Sequence, residues 1–205
     1  MGGANVTVDY QGMSSAAQTM LTQAEDLNAQ FVTAYQTVQS MNPSDWYGKR
    51  YDELVTYFNS QISIIKNQIL IPVVTNIPTT AGTIANNYAA FNDTSVQVPK
   101  GAPKDIPEIA LSNNQNSHFV DDAVGTKQTT ISNSLDNAVT SLGNMIKTFN
   151  SVEWSSAAAD ATRSTLNTVQ TQIGEMVNGL KKQVSDSMNL SRQEATTTEQ
   201  YNTVQ

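Results

Sequence analysis

The sequence predicts an all-α protein made of two long helix-turn-helix hairpins in tandem, which we expect to pack as an antiparallel four-helix bundle. Three observations lead to this prediction. Apolar residues recur at alternating steps of three and four, the chain has few aromatic residues, and its second half repeats the pattern of its first. Aromatic residues make up only 7% of the 205 residues, which suits helices that each bury a narrow stripe better than a thick sandwich core.

The first predicted helix has the most regular pattern in the chain. Between residues 13 and 41 the apolar positions follow strict 4-3 spacing without Gly or Pro; they are Met13, Ala17, Met20, Ala24, Leu27, Phe31, Ala34, Val38 and Met41. Asn42-Pro43 ends this helix, because the residue before a proline is disfavoured in the α region. Ser44 or Asp45 is then expected to cap the next helix.

The second predicted helix completes a first hairpin that covers residues 1–91. Its apolar stripe runs from Tyr51 to Ile69 and resumes at Ile84. Between these parts lie Pro72 and Pro78, each of which removes an amide hydrogen and clashes with the preceding turn. We therefore expect a kink or break in this helix.

A linker and a second hairpin fill the rest of the chain. Residues 92–118 hold half of the six prolines and are predicted to be a partly extended linker. Residues 119–194 carry two further apolar stripes, interrupted at Asn150-Ser151, and form the second hairpin. The polar residues 195–205 predict a flexible C-terminal tail. Antiparallel pairing requires the linker to run along a bundle about 60 Å long, and its 27 residues reach roughly 90 Å when extended.

The two hairpins repeat each other at an offset of 108 residues. Trp46 and Trp154, the only tryptophans, occupy the same place in the repeat, directly after each predicted turn. Gly48 in the first copy corresponds to Ser156 in the second. Further positions with similar residues at this offset are Leu27 and Leu135, Val38 and Ile146, Phe58 and Leu166, and Ile65 and Ile173. The chain therefore contains an internal duplication.

These hairpins resemble the small WXG-type, ESX-like proteins of the WXG-100 superfamily, which type VII secretion systems export. Trp46-Tyr47-Gly48 matches the family's Trp-x-Gly motif at a hairpin turn, and Trp154-Ser155-Ser156 matches it with Ser in place of Gly. The family also carries a C-terminal Tyr-x-x-x-Asp/Glu pattern, whose spacing Tyr201 and Gln205 reproduce with a neutral last residue. The resemblance implies that the export or recognition motif residues are Trp46, Gly48, Trp154, Ser156, Tyr201 and Gln205.

The resemblance also implies a protein that is made in the bacterial cytoplasm, secreted without a signal peptide, and active through protein binding. Its implied partners are the type VII export ATPase and a WXG-like or effector protein. Two tandem hairpins imply a monomeric pseudo-dimer of the family's usual dimer, with a homodimer left open because the same stripes serve either assembly. Two alternatives stay open: an adaptor that targets a larger effector for export, and a structural coiled-coil spacer.

Composition and motifs disfavour other classes of function. The net charge of −7, with Lys and Arg spread along the chain, argues against nucleic acid or anionic membranes as partners. The chain has no Cys, and its longest apolar run, residues 69–74, is too short to insert stably in a membrane. His118 lies near Asp121 and Asp122, but acidic residues are common in the first turn of a helix. We therefore predict no enzymatic activity, no cofactor and no metal site, and the N-terminal residues show no secretory signal pattern.

Overall fold

The computed structural model describes the backbone of residues 9–203 and the side chains of residues 9–197, and its regular structure is almost entirely helical. The helices are α1 (Tyr10–Gln39), α2 (Lys49–Ile65), α3 (Ile77–Ala90), α4 (Asp121–Asn150) and α5 (Ala157–Thr203). A π-helical segment, Lys66–Asn76, joins α2 to α3, and two short strands, β1 (Trp46–Tyr47) and β2 (His118–Phe119), pair antiparallel. The all-α prediction is confirmed.

The helices share one hydrophobic core and form a bundle-like structure. The helix α1 contacts α4 and α3, while α5 contacts α4, α2 and α3. Buried apolar residues from all five helices belong to a single cluster, and every residue of the predicted stripe from Met13 to Met41 is part of it. None of the helices within the described residues combines the length and hydrophobicity that crossing a membrane requires.

The prolines of the second predicted helix do not interrupt it. From Lys49 to Ala90 the chain is one continuous helical run, so the expected break is absent. Instead the hydrogen bonding changes around Pro72, and the amide of Ile77 donates to the Pro72 carbonyl five residues earlier. The wider π turn accommodates a residue that lacks an amide hydrogen. Pro78 follows as the second residue of α3.

Two further boundaries differ from the sequence prediction. The helix α2 starts after Gly48 rather than after Ser44 or Asp45, because residues 45–47 pair with the segment before α4. At the other end of the chain, α5 continues to Thr203, so residues 195–203 are helical rather than the predicted tail. This stretch contains no Gly or Pro to stop the helix.

The predicted linker lies against the first hairpin as an extended segment. We call residues 94–117, which contain no helix or strand, the strap. Its Pro99 bonds to Thr79 of α3, and further along the chain Ile109 bonds to Asn59 of α2. The strap therefore runs back along the first hairpin, from the end of α3 to the turn between α1 and α2, where β2 begins.

Candidate recognition surface at the Trp46 turn

Trp46 is the packing anchor of the turn between α1 and α2. Its side chain is only 1% exposed and meets Tyr51 and Phe119 edge-on, with ring centroids 6.1 Å and 5.4 Å away. Because Phe119 lies two residues before the start of α4, this aromatic cluster joins the first turn to the start of the second hairpin. The protein itself covers the Trp46 ring, which therefore packs inside this turn and presents almost no surface to solvent.

The strands β1 and β2 fasten the same junction through the main chain. Trp46 is paired with Phe119 and Tyr47 with His118, and the Val120 amide donates to the Asp45 carbonyl at 2.8 Å. The rings of Tyr47 and His118 are stacked with centroids 5.1 Å apart. The first turn is thus held to the segment that leads into α4.

Gly48 allows the strap to approach this turn. Its φ is +101°, a conformation that side chains disfavour. Its amide donates to the Ser112 hydroxyl at 3.0 Å, and a β-carbon at this position would lie 2.7 Å from the carbonyl oxygen of Asn116. Both the conformation and the contact with the strap therefore require glycine.

Trp154 has different surroundings in the second hairpin. Its ring is 7% exposed and stacks on Phe149 with centroids 5.2 Å apart, and its Nε1 donates to the Phe149 carbonyl at 2.6 Å. Ser156 follows at the position that corresponds to Gly48, and its hydroxyl accepts a bond from the Ala159 amide at 3.1 Å. Ser156 therefore caps α5, a role for which serine is well suited.

The two motif copies lie at opposite ends of α4. Trp46 contacts Phe119, just before α4 begins, whereas Trp154 stacks on Phe149 near the end of that helix. A helix of 30 residues spans about 45 Å. The structure therefore places Trp46 and Gly48 at a different site from Trp154 and Ser156.

A groove of about 780 Å³ opens beside the Trp46 turn, between β2 and the C-terminal part of α5. Its lining residues are Trp46, Tyr47, Arg50, Ser117, His118, Phe119, Leu190, Ser191, Gln193, Glu194, Ala195 and Thr197. Leu190 contributes an apolar side chain that is 39% exposed. The groove thus offers both apolar and polar side chains to a partner.

An ion-pair cluster forms one wall of this groove. Arg50 of α2 contacts Glu53 at 2.8 Å and Glu194 of α5 at 2.6 Å. The hydrogen bonds that the Arg50 guanidinium donates to Glu53, and then to Glu194, raise the pKa of Arg50. Sequence reasoning missed this wall, because Arg50 and Glu194 are 144 residues apart and neither belongs to a motif.

The predicted C-terminal pattern lies beyond this groove in sequence. The α5 backbone is described through Thr203, but the side chain of Tyr201 and the whole of Gln205 lie outside the described residues. The groove is lined by α5 residues from Leu190 to Thr197, so the described part of α5 leads from the groove toward Tyr201.

His118 and the nearby carboxylates have separate structural contacts. His118 Nε2 lies 3.1 Å from the Ser44 carbonyl oxygen, while Asp121 forms an ion pair with Arg192 of α5 at 2.6 Å. Within the described residues, no three His, Asp or Glu side chains converge in a way that would hold a metal ion.

Comparison with known proteins gives no relative: neither a protein-family model, nor a curated protein, nor a solved structure matches this chain. Function is therefore inferred from the residues and their arrangement.

Proposed function

We propose that this chain is a helical-bundle protein exported by a type VII secretion system, and that it acts by binding other proteins rather than by catalysis. The observation that carries the proposal is the duplicated hairpin with a buried tryptophan at the same point of each turn. In this proposal the two hairpins take the place of two copies of a single-hairpin WXG-type protein. The chain is then a monomeric pseudo-dimer.

Contacts between the hairpins support an antiparallel pairing in this pseudo-dimer. Gln23, in the first half of α1, donates to Thr148 near the end of α4. Ser40, just after α1, accepts a bond from Lys127 near the start of α4. The same opposite order holds for the other contacts: Arg50 at the start of α2 bonds to Glu194 in the last part of α5, and Tyr88 near the end of α3 donates to the Ser155 carbonyl just before α5. A linker that runs the length of the first hairpin is what such a pairing needs.

The groove beside the Trp46 turn is the recognition surface in this proposal. It combines exposed side chains next to the Trp-x-Gly motif with the part of α5 that leads to Tyr201. Trp46 and Gly48 then act indirectly, because they shape the turn that positions Tyr47 and, in the first turn of α2, Arg50. The export apparatus contacts the side chains that line the groove.

Export is tested by measuring the protein in the culture medium of its native host, with and without the type VII secretion ATPase. A cytoplasmic marker protein reports cell lysis. ATPase-dependent appearance in the medium supports the proposal, whereas equal amounts from both strains contradict it. Retention in both strains favours the adaptor alternative, which further requires that a larger effector co-purifies with the chain from cells.

The recognition surface is tested with two matched variants. Leu190→Gln alters an apolar side chain in the groove, and Leu111→Gln alters one outside the groove lining; the wild-type residues are 39% and 41% exposed. We expect Leu190→Gln to reduce export several-fold and Leu111→Gln to leave it unchanged, with both variants helical by circular dichroism. Export of Leu190→Gln at the wild-type level would exclude the groove as the recognition surface without excluding ATPase-dependent export.

A further inference from the structure

We propose that the strap covers one face of the first hairpin and, while it is bound there, keeps the first hairpin paired with the second hairpin of the same chain. This proposal is independent of export. It rests on how the strap is held, on its length, and on where it delivers the start of α4.

Two asparagines bind the strap through its main chain. Asn28 of α1 donates to the Lys104 carbonyl at 3.2 Å and accepts from the Lys104 amide at 2.6 Å. Asn59 of α2 does the same with Ile109, at 2.8 Å and 3.0 Å. Each side-chain amide thus satisfies both main-chain groups of one strap residue. Asn28 is only 2% exposed, and its burial is tolerated because the strap provides these bonds.

Close packing adds to these bonds. A β-carbon on Gly82 of α3 would lie 2.3 Å from Cδ of Pro99, and one on Gly101 would lie 2.1 Å from the Val74 carbonyl oxygen. The side chains of Ile106 and Ile109 are buried against the hairpin and belong to the main core cluster. The strap is therefore bound by shape and apolar burial as well as by hydrogen bonds.

The strap is extended between two of its attachment points. Thr79 donates to the Pro99 carbonyl, and the Ser112 amide donates to Asp52. The helical residues between positions 52 and 79 span at most about 40 Å, because the π-helical part of this run rises less per residue than an α-helix, and the strap residues between positions 99 and 112 reach at most about 45 Å. The extended strap therefore brings the chain back to the start of α2, where β2 and then α4 begin.

This arrangement restricts which second hairpin can pair with the first. Only Val120 lies between β2 and α4. While β2 is paired with β1, α4 therefore cannot move far enough to pair with the first hairpin of another copy of the chain. An exchange of hairpins between two copies requires the strap to detach from the first hairpin. Its detachment supplies a long hinge and exposes Ile106 and Ile109. The bound strap thus opposes domain swapping.

The test compares the double variant Asn28→Ala/Asn59→Ala with the control Asn67→Ala, whose wild-type amide bonds the nearby Ser63 hydroxyl. Amide hydrogen exchange is read at Val96 and Ser112, whose amides bond to Asn86 and Asp52 and are untouched by the double variant. Hairpin exchange is read by energy transfer between donor- and acceptor-labelled copies, with the label on Asn137→Cys in this Cys-free chain.

The four lost hydrogen bonds predict a rise on the order of 100-fold in the open fraction of the strap, and so in amide exchange at Val96 and Ser112. Mixed dimers should then form in the double variant but not in wild type or Asn67→Ala. Unchanged exchange at these amides in a folded double variant would overturn the proposal, as would strap release without mixed dimers. If the double variant loses helix content, the single variant Asn59→Ala is measured instead by amide hydrogen exchange and energy transfer, and the same outcomes support or overturn the proposal.

Discussion

Gly48 and Ser156 occupy the same position in the two hairpins, yet Gly48 lies against the strap and Ser156 caps a helix. The Gly48 amide bonds to Ser112 of the strap, whereas the Ser156 hydroxyl accepts from the Ala159 amide. The strap passes over the first turn and requires glycine there. At the second turn the same position serves as an N-cap, a position at which serine is preferred.

Exchanging these two residues should therefore have unequal effects. Gly48→Ser places a side chain at a φ of +101° and against the Asn116 carbonyl, so we expect a loss of about 2 kcal/mol or more in the free energy of unfolding. Ser156→Gly should cost only a few tenths of a kcal/mol, because glycine is an acceptable N-cap. Urea unfolding of both variants measures the difference, and equal losses would show that the strap does not constrain Gly48.

Glycines on the helices differ in their surroundings: Gly82 faces the strap, whereas an added β-carbon on Gly143 would face open space. Gly82→Ala should destabilise the protein, because its β-carbon would clash with Pro99. Gly143→Ala has no atom within 4 Å of the new β-carbon, so it should raise the free energy of unfolding by roughly 0.5–1 kcal/mol through better helix propensity. Thermal unfolding followed by circular dichroism distinguishes the two, and a gain for both would argue against tight strap packing.

The helices could be predicted from sequence because their signal is local. A stripe such as Met13 to Met41 depends on residues three and four apart, and every member of it is buried. The ends of the helices are less predictable from the sequence. The start of α2 depends on the pairing of Trp46 with Phe119, which are distant in sequence, so a plausible cap at Ser44 or Asp45 was the wrong choice.

No local pattern in the sequence predicts the strap contacts or the groove. Prolines indicated an extended segment, but nothing near Asn28 in sequence shows that it bonds to Lys104, which is 76 residues away. In a helical pattern Asn28 reads as an ordinary polar position beside the apolar stripe. The groove likewise depends on α5 reaching Arg50 from the far end of the chain. Such relationships arise only when the helices are packed.

Two buried tyrosines should make stability fall at high pH. Burial raises the pKa of Tyr51 from 10.0 to about 12, and burial also raises the pKa of Tyr35, whose hydroxyl donates to the Phe58 carbonyl at 2.7 Å. The folded state thus favours the neutral phenols. Their contribution to stability is fully present below pH 10.0, the unfolded pKa, and falls as the pH rises above it; the Tyr51 part is lost by about pH 12 and the Tyr35 part at still higher pH.

The measurement is urea unfolding of wild type and the double variant Tyr35→Phe/Tyr51→Phe across this pH range. The variant loses two hydroxyl bonds and should be about 1–3 kcal/mol less stable at neutral pH. Its stability should then fall less steeply than that of wild type above pH 10.0. Lysine deprotonation affects both proteins equally. If the free energy of unfolding falls equally steeply with pH in both, these tyrosines do not cause the loss of stability at high pH.

The two tryptophans allow a test of whether the hairpins unfold together. Trp154→Phe leaves Trp46 as the only indole, at one end of α4, and Trp46→Phe leaves Trp154 at the other. Because one apolar cluster includes residues of every helix, we expect fluorescence and far-UV circular dichroism to give the same urea midpoint within each variant. The midpoint of Trp46→Phe should lie below that of wild type, since the Trp46 ring fills a fully enclosed site between Tyr51 and Phe119. A fluorescence transition separated from the circular dichroism transition in either variant would instead show that residues 1–91 and 119–194 unfold as independent units.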